Sequence, residues 1–253
     1  MKTMIGVVTA VGLLTGISPG QGFSQDADSI QDADRILSQM DEVLFAPDDQ
    51  VSSVRMILTD RNDNERIRAA RVWQKGADMR LFRFTEPAAE AGIAFLSLPD
   101  EVMYIYMPAY DRARRIASHV KNQSFAGTDF SYEDLEAERY ANRFAPELID
   151  ATDQTWVLEL TPLPDMRSDY AKIITHVHRE HHYPVKMESY DRGGQLYKVA
   201  EYHFERQEEY WFAREINMHN MRRNHSTRMV FEEVQLDSGL DDDIFSVRNL
   251  SRF

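Results

Sequence analysis

Residues 51–107, VSSVRMILTDRNDNERIRAARVWQKGADMRLFRFTEPAAEAGIAFLSLPDEVMYIYM, decide the fold. Short runs of β-branched, aromatic and methionine residues are separated by Arg61-Asn62-Asp63-Asn64, Lys75-Gly76-Ala77-Asp78 and Leu98-Pro99-Asp100-Glu101, each a plausible hairpin joint. They predict strands over 51–59, 65–74, 79–85, 92–98 and 102–107. The same texture gives 112–117 and then, after a break, 154–161, 171–179, 184–191, 196–206, 210–219 and 226–235. So many sequential strands with short joints predict an antiparallel meander curled into a barrel or half-barrel. No helices alternate with them, which excludes a doubly wound α/β sheet. In Val102-Met103-Tyr104-Ile105-Tyr106-Met107 both faces are apolar, so both faces need cover.

Upstream, Ile30, Ala33, Ile36, Leu37, Met40, Val43 and Leu44 recur at helical spacing, and Asp28 or Ser29 can cap the free amides. One amphipathic helix over 28–44 follows, ended by Ala46-Pro47-Asp48-Asp49. Further upstream, Lys2, an apolar core from Ile5 to Ile17 and the breaker Pro19-Gly20 read as a signal peptide over 1–24, with cleavage expected after Ser24 and Ala27 as a second candidate. Residues 25–253 are then expected to form one domain, the usual size for a single β-barrel.

The chain holds no cysteine, so export implies neither a disulfide framework nor a lipidated cysteine, and a soluble periplasmic location is expected. Its formal net charge of −13 becomes −14 without Lys2 and disfavours nucleic acid and anionic membranes. Like charge also keeps copies apart, and a monomer is expected.

Two motifs carry a resemblance. Tyr106-Met107-Pro108-Ala109-Tyr110-Asp111-Arg112-Ala113-Arg114-Arg115-Ile116 and Ser124-Phe125-Ala126-Gly127-Thr128-Asp129-Phe130-Ser131-Tyr132-Glu133-Asp134-Leu135 are similar to the LolA/LolB-like outer-membrane lipoprotein-sorting family. The hairpin around Tyr190–Lys198 and the C-terminal Leu240–Phe245 look like that family as well. The resemblance implies a mainly β (α+β) fold, an unclosed antiparallel β-barrel of about 11 strands, with an N-terminal helix and a short helix capping an apolar concave face that accepts acyl chains. It also implies as partners an inner-membrane lipid or lipoprotein exporter and an outer-membrane acceptor. No catalytic residue and no cofactor are expected, because the chain has no cysteine nucleophile, no G-x-S-x-G elbow and no phosphate or dinucleotide loop.

The short helix is expected over 132–140, since Ser131-Tyr132-Glu133-Asp134 reads as a cap with an acid three places on. By alternation Phe82 and Phe84 share a face, as do Tyr104 and Tyr106, and Trp156, Leu158 and Leu160; these faces are expected to line the cavity, closed by Leu37, Met40 and Leu44. A swinging helix would open its mouth. A sixteen-carbon chain gains about 10 kcal/mol on leaving water, so only an enclosed apolar space can hold it. Twelve methionines offer walls that repack cheaply. Arg112, Arg114 and Arg115 suit either a headgroup at the rim or, by proximity, pairing with Asp129, Glu133 and Asp134 to pin the loop.

Two further readings compete. His176, His178, His181 and His182 cluster in a strand and turn and could hold zinc or copper in a metal-binding protein or metal-dependent enzyme, although the helical H-E-x-x-H spacing is lacking. Alternatively, the sheet docks a lipid-exporting transporter as an accessory subunit and no lipid enters.

Overall fold

The computed structural model describes residues 22–252, with side chains of the first helix from Asp32 onward. Residues 1–21 of the expected signal peptide lie outside the described residues. Helix α1 runs Gly22–Leu44, six residues longer at its start than the capping pattern predicts. Its Ala33, Ile36, Leu37 and Met40 are fully buried.

Thirteen strands among the described residues follow: β1 Asp49–Thr59, β2 Glu65–Lys75, β3 Met79–Glu86, β4 Ala94–Leu98, β5 Val102–Met107, β6 Arg112–Arg115, β7 Phe144–Ala151, β8 Thr155–Pro162, β9 Tyr170–His178, β10 Pro184–Asp191, β11 Leu196–Gln207, β12 Tyr210–Asn220 and β13 His225–Leu236. They form one antiparallel sheet ordered β6-β5-β4-β3-β2-β1-β13-β12-β11-β10-β9-β8-β7. The chain enters at the centre, meanders to the β6 edge, crosses to the opposite edge at β7 and meanders back until β13 pairs with β1. Because β6 and β7 do not pair, the barrel stays unclosed.

The crossing segment, 116–143, explains why. Its Phe125, Phe130, Tyr132 and Leu135 join α1 in a core that includes Phe82, Phe84, Phe95 and Met103 from the sheet, so the segment lies across the concave face. Phe125 stacks on Phe84 with ring centroids 5.2 Å apart and meets Phe82 edge-on at 5.3 Å. A left-handed pair, Ala126 (φ 48°) and Gly127 (φ 77°), turns the chain sharply behind that ring.

The expected short helix over 132–140 is not formed. The capping pair is present, with the Ser131 amide donating to Asp134 Oδ2 at 2.7 Å and the Asp134 amide donating to Ser131 Oγ at 3.3 Å. The residues between them form turns, and the next regular piece is a 3-10 helix at Tyr140–Asn142. The concave face is thus capped by turns whose side chains are buried, not by a second helix.

Strand β7 is also absent from the sequence expectation. Pro146 lies in its middle, which argues against a central strand; as the last strand of the sheet, β7 tolerates a residue without an N–H. On the convex side, 3-10 turns at Asp242–Phe245 and Val247–Ser251 place Phe245 and Leu250 against Leu81, Ala94, Leu96 and Tyr106. That supplies the second cover which β5 required.

Candidate functional site

A cavity of about 200 Å3, partly open to solvent, lies between the concave face, the crossing segment and the end of α1. Leu44 and Phe45 border it from the helix, Val72 and Phe82 from β2 and β3, Ile173 from β9, and Met187, Ala200, Met218 and Met229 from β10 to β13. Met187, Ala200 and Met218 are register partners across three adjacent strands, so a small side chain stands between two thioethers on the cavity floor. Tyr140 and Tyr202 both donate their hydroxyls to Met187 Sδ, at 3.5 and 3.4 Å. Burial pushes the Tyr140 phenol up to about 12, so both rings stay neutral and contribute apolar edges.

Of the ten residues expected to line the cavity, Leu44 and Phe82 border it. Leu37, Met40, Phe84, Leu158 and Leu160 are fully buried in the same concave core, and half-buried Trp156 packs against that core. Tyr104 and Tyr106 stand on the other face. On β5 it is Met103 and Ile105 that point into the concave core, while the two tyrosines meet the C-terminal turns. With both faces of β5 apolar, its alternation carried no sign of direction.

The arginines do not make the loop-pinning pairs that their proximity to the acids suggests. Arg112, Arg114 and Arg115 are exposed and pair with none of the three nearby acids; Arg114 instead lies over the Tyr110 ring, 5.6 Å from its centroid. The loop is pinned by partners distant in sequence. Asp129 Oδ2 meets His225 Nδ1 at 2.6 Å and accepts from Thr227 Oγ1 at 2.8 Å, Glu133 pairs with Arg143 at 2.9 Å, and Asp134 pairs with buried Lys198 at 2.6 Å. Burial works to raise the Asp134 carboxyl, but the Lys198 ammonium with hydrogen bonds from Ser131 and Tyr170 outweighs it and holds Asp134 below the usual carboxylate value. Burial raises Glu133 despite Arg143. Lys121, bridging Glu101 at 2.9 Å and Glu136 at 3.0 Å, completes a buried ionic cluster of which Glu133, Asp134, Glu136 and Arg143 border the cavity.

The structure does not bring the four histidines together as a ligand set. Among the described residues no three histidines or carboxylates converge on a common point. His176 faces Glu188 at 3.5 Å, His178 and His181 stack on each other with centroids 4.9 Å apart, His181 stacks on Trp211, and His182 stacks on Trp156. His178 Nδ1 accepts from the amides of Glu180 and His181, which fixes it as a turn residue.

One contact fastens α1 to the crossing segment. Asp41, fully buried on the helix, accepts the Tyr140 and Ala141 amides, both at 2.9 Å, and so caps the Tyr140–Asn142 turn. Burial raises its carboxyl above 3.8 against the pull of those amides. Asp41→Ala strands two amides, and we expect a loss of about 2 kcal/mol, read as a lower urea midpoint at unchanged slope. Asp41→Asn, which still accepts one bond, should lose less. An alanine variant as stable as the parent would show that the helix is held by its apolar face alone.

The profile of a family described as an uncharacterized protein matches residues 76–252. Among solved structures, the chain is similar to a domain from Vibrio parahaemolyticus described as an outer membrane lipoprotein-sorting protein, with 26% identity, 88% of this chain and 100% of that chain covered, and a TM-score of 0.79. A DUF1329 family protein from Desulfovibrio piger (22% identity, 88% and 99% covered, TM-score 0.82) and a LolA superfamily protein from Nitrosomonas europaea (23%, 86% and 98%, 0.73) share the fold. No curated protein matches the chain significantly.

Proposed function

We propose, from the premise that this chain belongs to the LolA-like outer-membrane lipoprotein-sorting family, that it is a carrier which shelters the acyl chains of a lipid or lipoprotein in its concave cavity and passes them towards the outer membrane. The observation that carries this reading is the cavity, walled by methionines and aromatic rings and edged by the end of α1. Apolar walls stabilise hydrocarbon by about 0.8 kcal/mol per methylene, and thioethers let the pocket reshape as cargo enters and leaves. The family's sorting role supports a non-enzymatic protein. With residues 1–24 as the export signal, residues 25–253 work as one monomeric domain in the periplasm, between an inner-membrane exporter and an outer-membrane acceptor. Among the described residues no helix is long and apolar enough to cross a membrane.

Native mass spectrometry of the protein recovered from a periplasmic extract tests this. The expected spectrum carries an added mass that organic extraction removes and identifies as an acyl lipid. Protein that emerges bare, and stays bare after incubation with short-chain lipid, would sink the carrier reading and leave the sheet as a docking surface.

A further inference from the structure

Strand β3 presents Arg80, Phe82 and Phe84 on one face, so a guanidinium shares the concave side with two fully buried rings. Arg80 borders the cavity and is half-buried. Its bonds go to neutral acceptors: Nε and Nη2 to Gln74 Oε1 at 3.0 and 2.6 Å, and Nη1 to the Leu135 carbonyl at 3.1 Å. Two of its five N–H donors are left over. Among the described residues no carboxylate lies within ion-pair distance of it.

The carboxylates around the cavity are otherwise engaged. Glu133 is taken by Arg143, Asp134 by Lys198 and Glu136 by Lys121. Glu138 accepts from the Asn142 side chain and the Arg139 amide. Burial brings the Arg80 guanidinium down to about 10, which still leaves it cationic at neutral pH. A desolvated cation without a counter-ion is costly, and evolution of a purely apolar pocket would not place one there.

Its position within the cavity is equally informative. Gln50, Gln74 and Arg80 are register partners across β1, β2 and β3, and all three border the cavity. Val72 and Phe82, register partners two residues further along β2 and β3, begin the apolar wall about 7 Å away. This edge of the cavity thus carries a cation with no acid partner beside an apolar wall, while the lining acids Glu133, Asp134 and Glu136 are neutralised by Arg143, Lys198 and Lys121, an arrangement that fits a lipid with an anionic head.

We infer that the cavity selects acyl lipids bearing an anionic headgroup, carboxylate or phosphate, and that Arg80 binds that head through its two spare N–H donors. This rests on the carrier reading above and names the chemistry of its cargo. The test is direct binding of cis-parinaric acid and its methyl ester, two fluorescent chains that differ in headgroup charge. The wild-type protein should hold the acid on the order of tenfold tighter than the ester. Arg80→Gln should bring the two within about twofold by weakening the acid alone, and Arg80→Lys should keep much of the preference. Displacement by palmitate or by a one-chain phosphatidic acid then tells which anion fits, with monopalmitoylglycerol as the neutral competitor. Equal binding of acid and ester by the wild-type protein, or a preference that survives Arg80→Gln, would overturn the inference and leave the carrier reading intact. Failure to bind either chain would overturn both. Because the wild-type comparison needs no variant, a misfolded Arg80→Gln does not remove the test.

Discussion

Ala200→Phe should weaken acyl binding on the order of a hundredfold while leaving the protein folded. Ala200 is almost fully buried, borders the cavity and sits in register between Met187 and Met218. A benzyl group built there takes up part of the void, flanked by two side chains that repack at low cost. Filling empty space recovers dispersion contacts, so the thermal midpoint should stay within a few degrees of the parent. Affinity for a long-chain probe should fall by on the order of a hundredfold, since about 3 kcal/mol of methylene burial loses its site. Met218→Ala, which enlarges the same space, should retain binding at some cost in stability. Titration of a fluorescent fatty acid against all three proteins checks this, and an Ala200→Phe variant that binds like its parent would place the ligand elsewhere.

The fold was legible because its strands are short, sequential and punctuated by strong turns. Val102–Met107 and Pro184–Asp191 fall where alternation and turn residues put them, and the other ten expected strands agree within a few residues. What was not legible depends on tertiary context. Pro146 reads as a breaker unless one knows that β7 ends the sheet. Ser131 and Asp134 form the reciprocal pair that starts a helix, but Asp134 is also bound to Lys198 and Tyr170, and the backbone is drawn into turns by those long-range partners. Local capping is worth about 1 kcal/mol, less than leaving a buried carboxylate unpaired.

The site was half legible for a related reason. Alternation groups residues by face but does not say which face is inside: Phe82 lies in the concave core, whereas Tyr104 and Tyr106 lie against the C-terminal turns on the other face. The decisive cover on the convex side comes from Phe245 and Leu250, more than a hundred residues further along the chain. Arg80 did leave a signal: a cation at the same parity as Phe82 and Phe84 contradicts an apolar face, and such contradictions tend to mark function. The second loop motif carried chemistry of a different kind, since its Asp129 and Asp134 anchor the crossing segment to strands β9, β11 and β13, while Glu133 pairs with Arg143 just before β7.

The buried pair that fixes this segment sets the largest stability effect. Lys198 reaches from β11 to Asp134 Oδ2 at 2.6 Å and to the Tyr170 hydroxyl at 3.1 Å, with its ammonium fully enclosed. Lys198→Met removes the cation and leaves a buried carboxylate whose remaining donors are Ser131 and the Tyr170 hydroxyl, a loss of about 3–5 kcal/mol. The pH dependence carries the diagnostic. In the wild-type protein Asp134 sits below its unfolded value of 3.8, so its contribution is fully present above that pH and is lost as pH falls through the folded value. Without Lys198, burial should raise the same carboxyl above 3.8, and folding would then favour its protonated form. The variant's deficit should accordingly be greatest at neutral pH and shrink between about pH 6 and 4 as Asp134 takes up a proton. Adding Asp134→Asn to Lys198→Met should restore part of the loss at pH 7, because a neutral amide needs no counter-ion. Urea unfolding of the three proteins at pH 4.5 and 7 reads both effects, and a deficit that does not change with pH would assign the Lys198 contribution to packing of its methylene stem.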